Sequence, residues 1–453
     1  MVVTLPGRKQ QSKTAIQISI FSRIIGCMAA VPEPSLIVSF EEARHLVEGH
    51  ASRLRPRSKE LLELLDSAGR ILAEPVAADR NFPPFRRATR DGYAVRATDL
   101  AQLPARLRIV GEIRAGARSE NSEIKIEVGE AAAIMTGAPA PAGADAIVMV
   151  EWTSRAGDQV EITKGIAAGD NIVPIGSEAR RGQQLLSPGM RLDHAAIAVA
   201  ASVGRVHILV YAKPRVAVLS TGDEVVDIDV PPGPNQIRNS NSYSLAAQIQ
   251  DVGGDPVLLP IAPDEPERLR ELIAEGLEAD MLLLAGGVSM GKYDLVEQVL
   301  ADFQAEFFFT GAQIQPGKPI VFGRVPWASS PKVANTDAEP QWKYFFGLPG
   351  NPISTMVTFQ LFAQTILEAL AGRSPQRLIF LHAKLKSEIK TKTGLKRFLP
   401  AILSGEFEQA EVELAGWHGS GDIATAARAN CYIVISPDKS TIAAGEWVPV
   451  LSR

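Results

Sequence analysis

Residues Met281–Asp294 read MLLLAGGVSMGKYD: an unbroken apolar run, then a glycine pair, then a polar loop ending in a carboxylate. A run that is apolar at every position suits a strand buried on both faces, and the glycines mark a turn at its carboxyl end. Upstream, RVAVLS (215–220) and PVLLPI (256–261) repeat the pattern. Between them the sequence predicts a helix from about Ser242 to Gln250, closed by Gly253-Gly254, and PERLRELIAEGLEA (266–279) predicts a second. Downstream come a helical DLVEQVLADF, a strand-like KYFFG, the turn LPGNP, and a long helix from Ile353 to Leu370 with Pro352 suited to its first turn. This alternation predicts an α/β unit over residues 212–374, with a parallel sheet covered by helices on both faces.

The flanks read differently. Ser39 and Glu42 form a capping-box pattern, and Phe40, Ala43, Leu46 and Val47 fall on one helical face. Leu61, Leu62, Leu64, Leu65, Ile71 and Leu72 continue a helical pattern that Pro75 breaks. From Asn81, short β-type runs (LRIVGEIRAG, EIKIEVG, AIVMVEW, VEIT) alternate with Gly/Pro clusters, and helical signals return at LDHAAIAVAASVG. Residues 36–80 and 176–211 are therefore expected to form one discontinuous helical domain around a β-rich insertion, 81–175. Residues 375–453, with LIFLHAKL, CYIVIS and WVPVL, predict a small β domain. Residues 1–35 read as a tail: Gln17, Ser19 and Arg23 interrupt the apolar stretch before Cys27, leaving no signal-peptide core.

Composition narrows the function. A chain of 453 residues is too long for one core, and 46% hydrophobic with 22% charged residues is the balance of a globular protein. A net charge of -4 and the absence of a basic stripe argue against a nucleic-acid partner. Cys27 and Cys431, the only two cysteines, exclude a disulfide framework and a cysteine-rich zinc site, and fit a reducing, cytoplasmic compartment. No segment reaches the run of about 18 apolar residues that a membrane span needs.

Ligands of open α/β sheets bind beyond the carboxyl ends of the strands. Four loops there share one character: Thr221-Gly222-Asp223-Glu224, Pro263-Asp264-Glu265, Gly286-Gly287 through Ser289 to Asp294, and Gly347 through Gly350-Asn351 to Pro352. Each alone also suits a turn or a helix cap. Together, small residues and helix starts favour phosphate, while Glu224, Asp264 and Asp294 suit a phosphate site if Mg²⁺ bridges them or if one acts as a base. The AGGVSMG spacing is not a dinucleotide fingerprint, PGKP lacks the Ser/Thr of a P-loop, and no serine has a nucleophile-elbow context.

At these residues the chain resembles the molybdopterin molybdenumtransferase (molybdenum insertase) family, which includes the gephyrin E domain. The resemblance covers residues 36 to 453 through ATRDGYAVRA, GEIRAGA, AAAIMTGAPAPAGADAIVMVE, RVAVLSTGDEV, NSNSYSL, LLLAGGVSMGKYD, QPGKP and GLPGNPIS. It implies a molybdopterin-binding central domain, a C-terminal small β-barrel, and an elongated homodimer whose cleft combines surfaces of both subunits. It also implies Mg²⁺-assisted insertion of molybdate into adenylylated molybdopterin with release of AMP, and delivery of the product to molybdoenzymes. Residue by residue, it implies Glu224, Asp294 and Asp91 in catalysis, and Glu178, Glu224, Asp264 and Asp294 at the metal. Thr136, Ser289, Lys318, Gly286, Gly287, Gly350, Asn351 and Ser420 would bind substrate.

This chain departs from the family's usual cations. Arg87-Ala88-Thr89-Arg90 stands where relatives carry Asn-Ser-Ala-Met, Val173-Pro174-Ile175 replaces a basic cluster, and Gly311, Gln315 and Pro400 stand at usually basic positions. Two other readings follow from those losses: a pterin-binding scaffold or carrier without the chemistry, and an insertase for another oxyanion such as tungstate.

Overall fold

The computed structural model describes residues 36–116, 124–287, 295–327 and 341–453. The expected tail, Ser289 and Asp294 lie outside the described residues. A six-stranded sheet runs in the order Asp255–Leu258, Arg215–Ser220, Met281–Ala285, Gln341–Leu348, Val321–Trp327, Glu306–Phe309. The first four strands are parallel, and Arg215–Ser220 and Met281–Ala285 show the near-continuous burial expected of a covered parallel sheet, while Asp255–Leu258 at the sheet edge does not. The other two depart from the parallel expectation: Val321–Trp327 pairs antiparallel with both of its neighbours. No helix lies between Phe309 and Val321, and without a crossover element a chain returns antiparallel.

Alternate residues of each strand feed two cores. Val216, Val218, Met281, Leu283 and Phe346 join the helices Ser240–Val252 and Pro352–Leu370 on one face. Ala217, Leu219, Leu282, Leu284 and Phe345 join Pro266–Gly276 and Leu295–Asp302 on the other. Pro352–Leu370 corrects one expectation, since by length and hydropathy it could cross a membrane; 72% of that window is buried in the protein, where it serves as the core helix.

The capping box at Ser39 forms, with the Glu42 N–H and carboxylate engaged, and starts the helix Phe40–Ala51. Its buried face, Phe40, Ala43 and Val47, packs into the α/β core instead of a separate helical domain. The helical reading of residues 61–72 is also overturned. Lys59–Glu63 is a strand paired antiparallel with His207–Tyr211, in which Leu62 faces inward while Leu61 is 63% exposed. The helix His194–Ser202, capped by Asp193, packs with this strand pair through Ala196, Ala200, Ile208 and Val210.

Residues 92–162 carry a second six-stranded sheet, in the order Ala146–Met149, Gly92–Val95, Glu130–Ile134, Ala105–Ile113, Gln159–Ile162, Thr153–Ala156. The C-terminal strands Phe380–Leu385, Lys396–Ser404, Glu411–Leu414, Cys431–Ile435 and Trp447–Ser452 close on themselves, because Lys396–Ser404 pairs with both Glu411–Leu414 and Cys431–Ile435. Closure removes the sheet's open edges, giving a small barrel.

Candidate functional site

Register decides what meets at the edge of the α/β sheet. Ser220 pairs with Ala285 and Ala285 with Leu348, so the loops that follow, 221–224, 286–287 and 349–351, leave the sheet side by side. Ala262 N–H donates to the Ser220 carbonyl at 2.9 Å and the Gly222 N–H to Ala262 at 3.2 Å, which brings the Asp264 loop against the Thr221 loop. The strand beginning at Val321, opposite Gly347, leads in from Pro316-Gly317-Lys318-Pro319 at the same edge. Close packing here leaves no room for side chains at the glycine pair: a Cβ on Gly287 would lie 2.6 Å from Thr221 Oγ1 and 2.7 Å from Val296. The Thr221 hydroxyl is buried there without a hydrogen-bond partner among the described residues.

Three carboxylates gather beside this cradle. The Asp264 N–H donates to Asp223 Oδ1 at 3.1 Å. Burial, and then the negative charges of Asp223 and Glu224, push the Asp264 carboxyl above the usual carboxylate range. Such a group repels its neighbours once ionised, and a hard cation would relieve the repulsion, although among the described residues no three His, Cys, Asp or Glu side chains stand close enough to hold a metal ion by themselves. The sign for stability follows. A carboxyl raised on folding favours the folded state while protonated, and that contribution is lost as pH rises through its folded value. Asp264→Asn is therefore expected to raise Tm slightly at pH 7 without divalent metal, with the gain vanishing in acid. Mg²⁺ should raise the Tm of the unmodified protein more than that of the variant. Scanning fluorimetry with and without Mg²⁺ checks both, and equal Mg²⁺ responses would remove Asp264 from the cation site.

At the LPGNP turn, Asn241 Nδ2 donates to the Gly350 carbonyl at 2.7 Å, tying the helix Ser240–Val252 to the loop. Asn351 holds the N-cap position of Pro352–Leu370 with no side-chain capping bond. The helix start is less open to phosphate than the sequence suggests. Pro352 has no N–H, Ile353 N–H donates to the Ser420 carbonyl at 3.0 Å, and Thr355 N–H donates to Asn351. Ser420 thus reaches the site through its backbone, carrying the C-terminal barrel against the α/β edge.

Glu224, Asp264, Gly286, Gly287, Lys318, Gly350, Asn351 and Ser420 all lie at this one edge. Asp91 and Thr136 form a second group on the β-rich sheet: Thr136 donates its N–H at 2.6 Å and its hydroxyl at 2.9 Å to Asp91 Oδ1. Those two bonds hold the exposed Asp91 carboxyl below its ordinary value. Glu178, expected at the metal, lies on the β-rich side of the chain, beside Arg87. Its segment folds back on Phe82 (N–H to carbonyl, 2.9 Å), and its carboxylate pairs with Arg87 Nη2 at 2.7 Å. Among the described residues, no hydrogen bond or ion pair joins Asp91, Thr136 or Glu178 to the α/β loops. Sequence reasoning passed over Asp223 and Asn241. Asp223 was signalled by its place beside Glu224; Asn241 needed the fold, since its partner is 109 residues away.

Three family models match in order: the MoeA N-terminal region (domain I and II) over residues 38–204, a probable molybdopterin binding domain over 217–369, and the MoeA C-terminal region (domain IV) over 382–452. The molybdopterin molybdenumtransferase of Nostoc sp. is 34% identical over 402 residues, covering 86% of this chain and 88% of that protein. The chain belongs to the molybdopterin molybdenumtransferase family. The Bacillus subtilis molybdopterin molybdenumtransferase is 30% identical over 403 residues, with 86% and 89% covered. The crystal structure of a molybdopterin biosynthesis MoeA protein from Pyrococcus horikosii superposes with a TM-score of 0.66 at 31% identity, covering 92% of this chain and 99% of that one. Family membership thus spans all the residues that build both groups.

Proposed function

We propose that this chain is a cytoplasmic transferase of molybdenum-cofactor biosynthesis that inserts molybdate into adenylylated molybdopterin and releases AMP. The observation that carries the reading is the pairing of a carboxylate group, Asp223, Glu224 and Asp264, with glycine loops at one sheet edge. Glycine loops let backbone N–H groups approach phosphate, and acidic side chains beside them require a cation between. Glu224 and Asp264, with Asp294, would hold Mg²⁺, which when bound neutralises charge on the phosphate oxygens during cleavage. Lys318 supplies a point charge to the phosphate, and Asn351 offers an amide that makes no capping bond to its own helix. Asp91 and Thr136 serve the oxyanion from the other group, completing the cleft across a homodimer, from which product passes to molybdoenzymes.

The carrier reading draws on a specific observation. Gly311 and Pro400 are buried within strands, and the Arg87 guanidinium is engaged by Glu178, so the cations that could hold an oxyanion are reduced. One assay separates the readings. Purified protein given adenylylated molybdopterin, Mg²⁺ and molybdate should release AMP in step with molybdenum incorporation. Tight binding without AMP release would establish the carrier, and release driven by tungstate but not molybdate would reassign the oxyanion.

A further inference from the structure

The β-rich sheet ends at the strand Ala146–Met149, and its outer edge is covered by chain from residues 164–171 and not by another strand. Ile147 N–H donates to the Asp170 carbonyl at 3.2 Å, Gly169 N–H to the Asp145 carbonyl at 2.7 Å, and Asn171 Nδ2 to the Ile147 carbonyl at 2.8 Å. Asn171 takes a left-handed backbone, φ 58, which asparagine tolerates better than most residues. Between this cover and the end of the strand lies a cavity of about 310 Å³, lined by Met149, Trp152, Lys164, Ile166, Asp170 and Asn171. That is the lower end of the range for small-molecule sites.

Two charged groups of the lining are held in place. Trp152 packs half-buried against the core of the sheet, and Lys164 Nζ lies 3.8 Å from its ring centroid, which fixes an otherwise flexible side chain. Among the described residues, no hydrogen bond or ion pair uses the Lys164 ammonium, so its N–H donors are left for a ligand. Asp170 Oδ2 accepts the Ala167 N–H at 3.0 Å, which orients the carboxylate and leaves Oδ1 to accept. The cavity thus offers a cationic donor and an anionic acceptor beside the apolar surfaces of Trp152, Met149 and Ile166. A flat ring with a carbonyl next to an N–H and an amino group answers both: the carbonyl takes the ammonium, and the two N–H groups take the carboxylate in parallel, as a guanidinium does.

The cavity also adjoins Asp91. Met149 pairs with Gly92, the Asp91 carbonyl accepts the Val150 N–H at 3.0 Å, and the Asn171 carbonyl accepts the Thr89 N–H at 3.0 Å. Its walls are therefore bonded to the backbone on both sides of Asp91.

We propose that this cavity is a pterin-ring subsite, in which Lys164 donates to the ring carbonyl and Asp170 accepts from the adjacent ring N–H and the amino group. Guanine shares that edge, and the choice of pterin rests on the proposed function. The β-rich domain would then read the ring of the substrate on the same sheet that carries Asp91 and Thr136, while the glycine loops of the α/β edge take its phosphates.

Fluorescence titration of the full chain with hydroxymethylpterin, itself fluorescent, tests this without turnover. The wild type should bind it at least about tenfold more tightly than hydroxymethyllumazine, in which a second carbonyl replaces the amino group and would face Asp170. It should also bind it more tightly than guanosine. Lys164→Met keeps the length of the side chain without its donors and should weaken pterin binding about tenfold. Asp170→Asn still accepts the Ala167 N–H but can also donate, so it should bring the preference for pterin over lumazine to within about threefold. A purely structural role would leave that ratio unchanged. Both side chains are exposed, so Tm should stay within about 2 °C of wild type. No pterin binding by the wild type, no preference over lumazine, or pterin affinity unchanged in both variants overturns the proposal, the last by placing the ring elsewhere on the chain. Tighter binding of guanosine reassigns the occupant and overturns it as well. A chain that keeps the pterin preference but releases no AMP from adenylylated molybdopterin defeats the catalytic reading alone, and AMP release without the preference defeats the subsite alone.

Discussion

Glu224→Ala is expected to lower kcat/KM for AMP release by at least about 100-fold, roughly 2.7 kcal/mol of transition-state stabilisation, while Tm changes by no more than about 2 °C. The two expectations come from different parts of the structure. Glu224 sits exposed on a loop beyond the strand Arg215–Ser220, with its carbonyl accepting the Ile237 N–H at 2.8 Å. Substitutions at such positions usually lie within about 0.5 kcal/mol in stability. Its carboxylate, by contrast, adds to the negative field that pushes Asp264 up, so it belongs to the group that needs a cation. Removing it should weaken Mg²⁺, and raising Mg²⁺ well above the wild-type requirement should recover part of the activity. Glu224→Gln, isosteric but neutral, should behave like the Ala variant. Wild-type turnover in both would take Glu224 out of the site, and lost activity with a large fall in Tm would assign it a structural role.

How far these residues could be read in advance follows from the kind of signal each depends on. The α/β core was legible because strands such as Met281–Ala285 are buried at every position, a pattern that a surface strand or an amphipathic helix does not share. Once parallel strands are granted, their carboxyl-end loops must converge, and Glu224, Asp264, Gly286 and Gly350 follow from topology alone. Residues 59–65 were misread because Leu61, Leu62, Leu64 and Leu65 satisfy helical spacing as well as alternation. The pairing with His207–Tyr211, about 150 residues away in sequence, chooses between them. The partner of Glu178 was not legible for a related reason. An acidic residue after a glycine carries no local mark of its partner, and the Arg87 guanidinium that claims it lies 91 positions earlier. Ser420 was found by resemblance, but its contact through the carbonyl to Ile353 depends on how the barrel docks, which no local pattern encodes.

Gly92→Ala is expected to be the most damaging small change in the β-rich half, costing about 2–5 kcal/mol. Gly92 opens the strand Gly92–Val95, which lies between Ala146–Met149 and Glu130–Ile134 in mid-sheet. A methyl group built on it would overlap the Val148 carbonyl oxygen and lie 3.0 Å from the Val150 N atom, both backbone groups of the adjacent strand and its continuation. Overpacking of this kind costs about 1–3 kcal/mol, and the backbone at φ +158, near the margin of what side-chain-bearing residues adopt, adds to it. The same displacement reaches the second functional group. The Asp91 carbonyl accepts the Val150 N–H at 3.0 Å, so forcing these strands apart loosens Asp91 against Thr136. Hydrogen exchange should accordingly rise at residues 92–95 and 146–149 while the buried strand Met281–Ala285 stays protected. Activity should fall with the Asp91–Thr136 geometry even at temperatures where the α/β half is intact. A variant with unchanged exchange in the β-rich sheet and a Tm within about 1 °C of wild type would show that the strands can part without cost, and would separate Asp91 from the strand packing assigned to hold it.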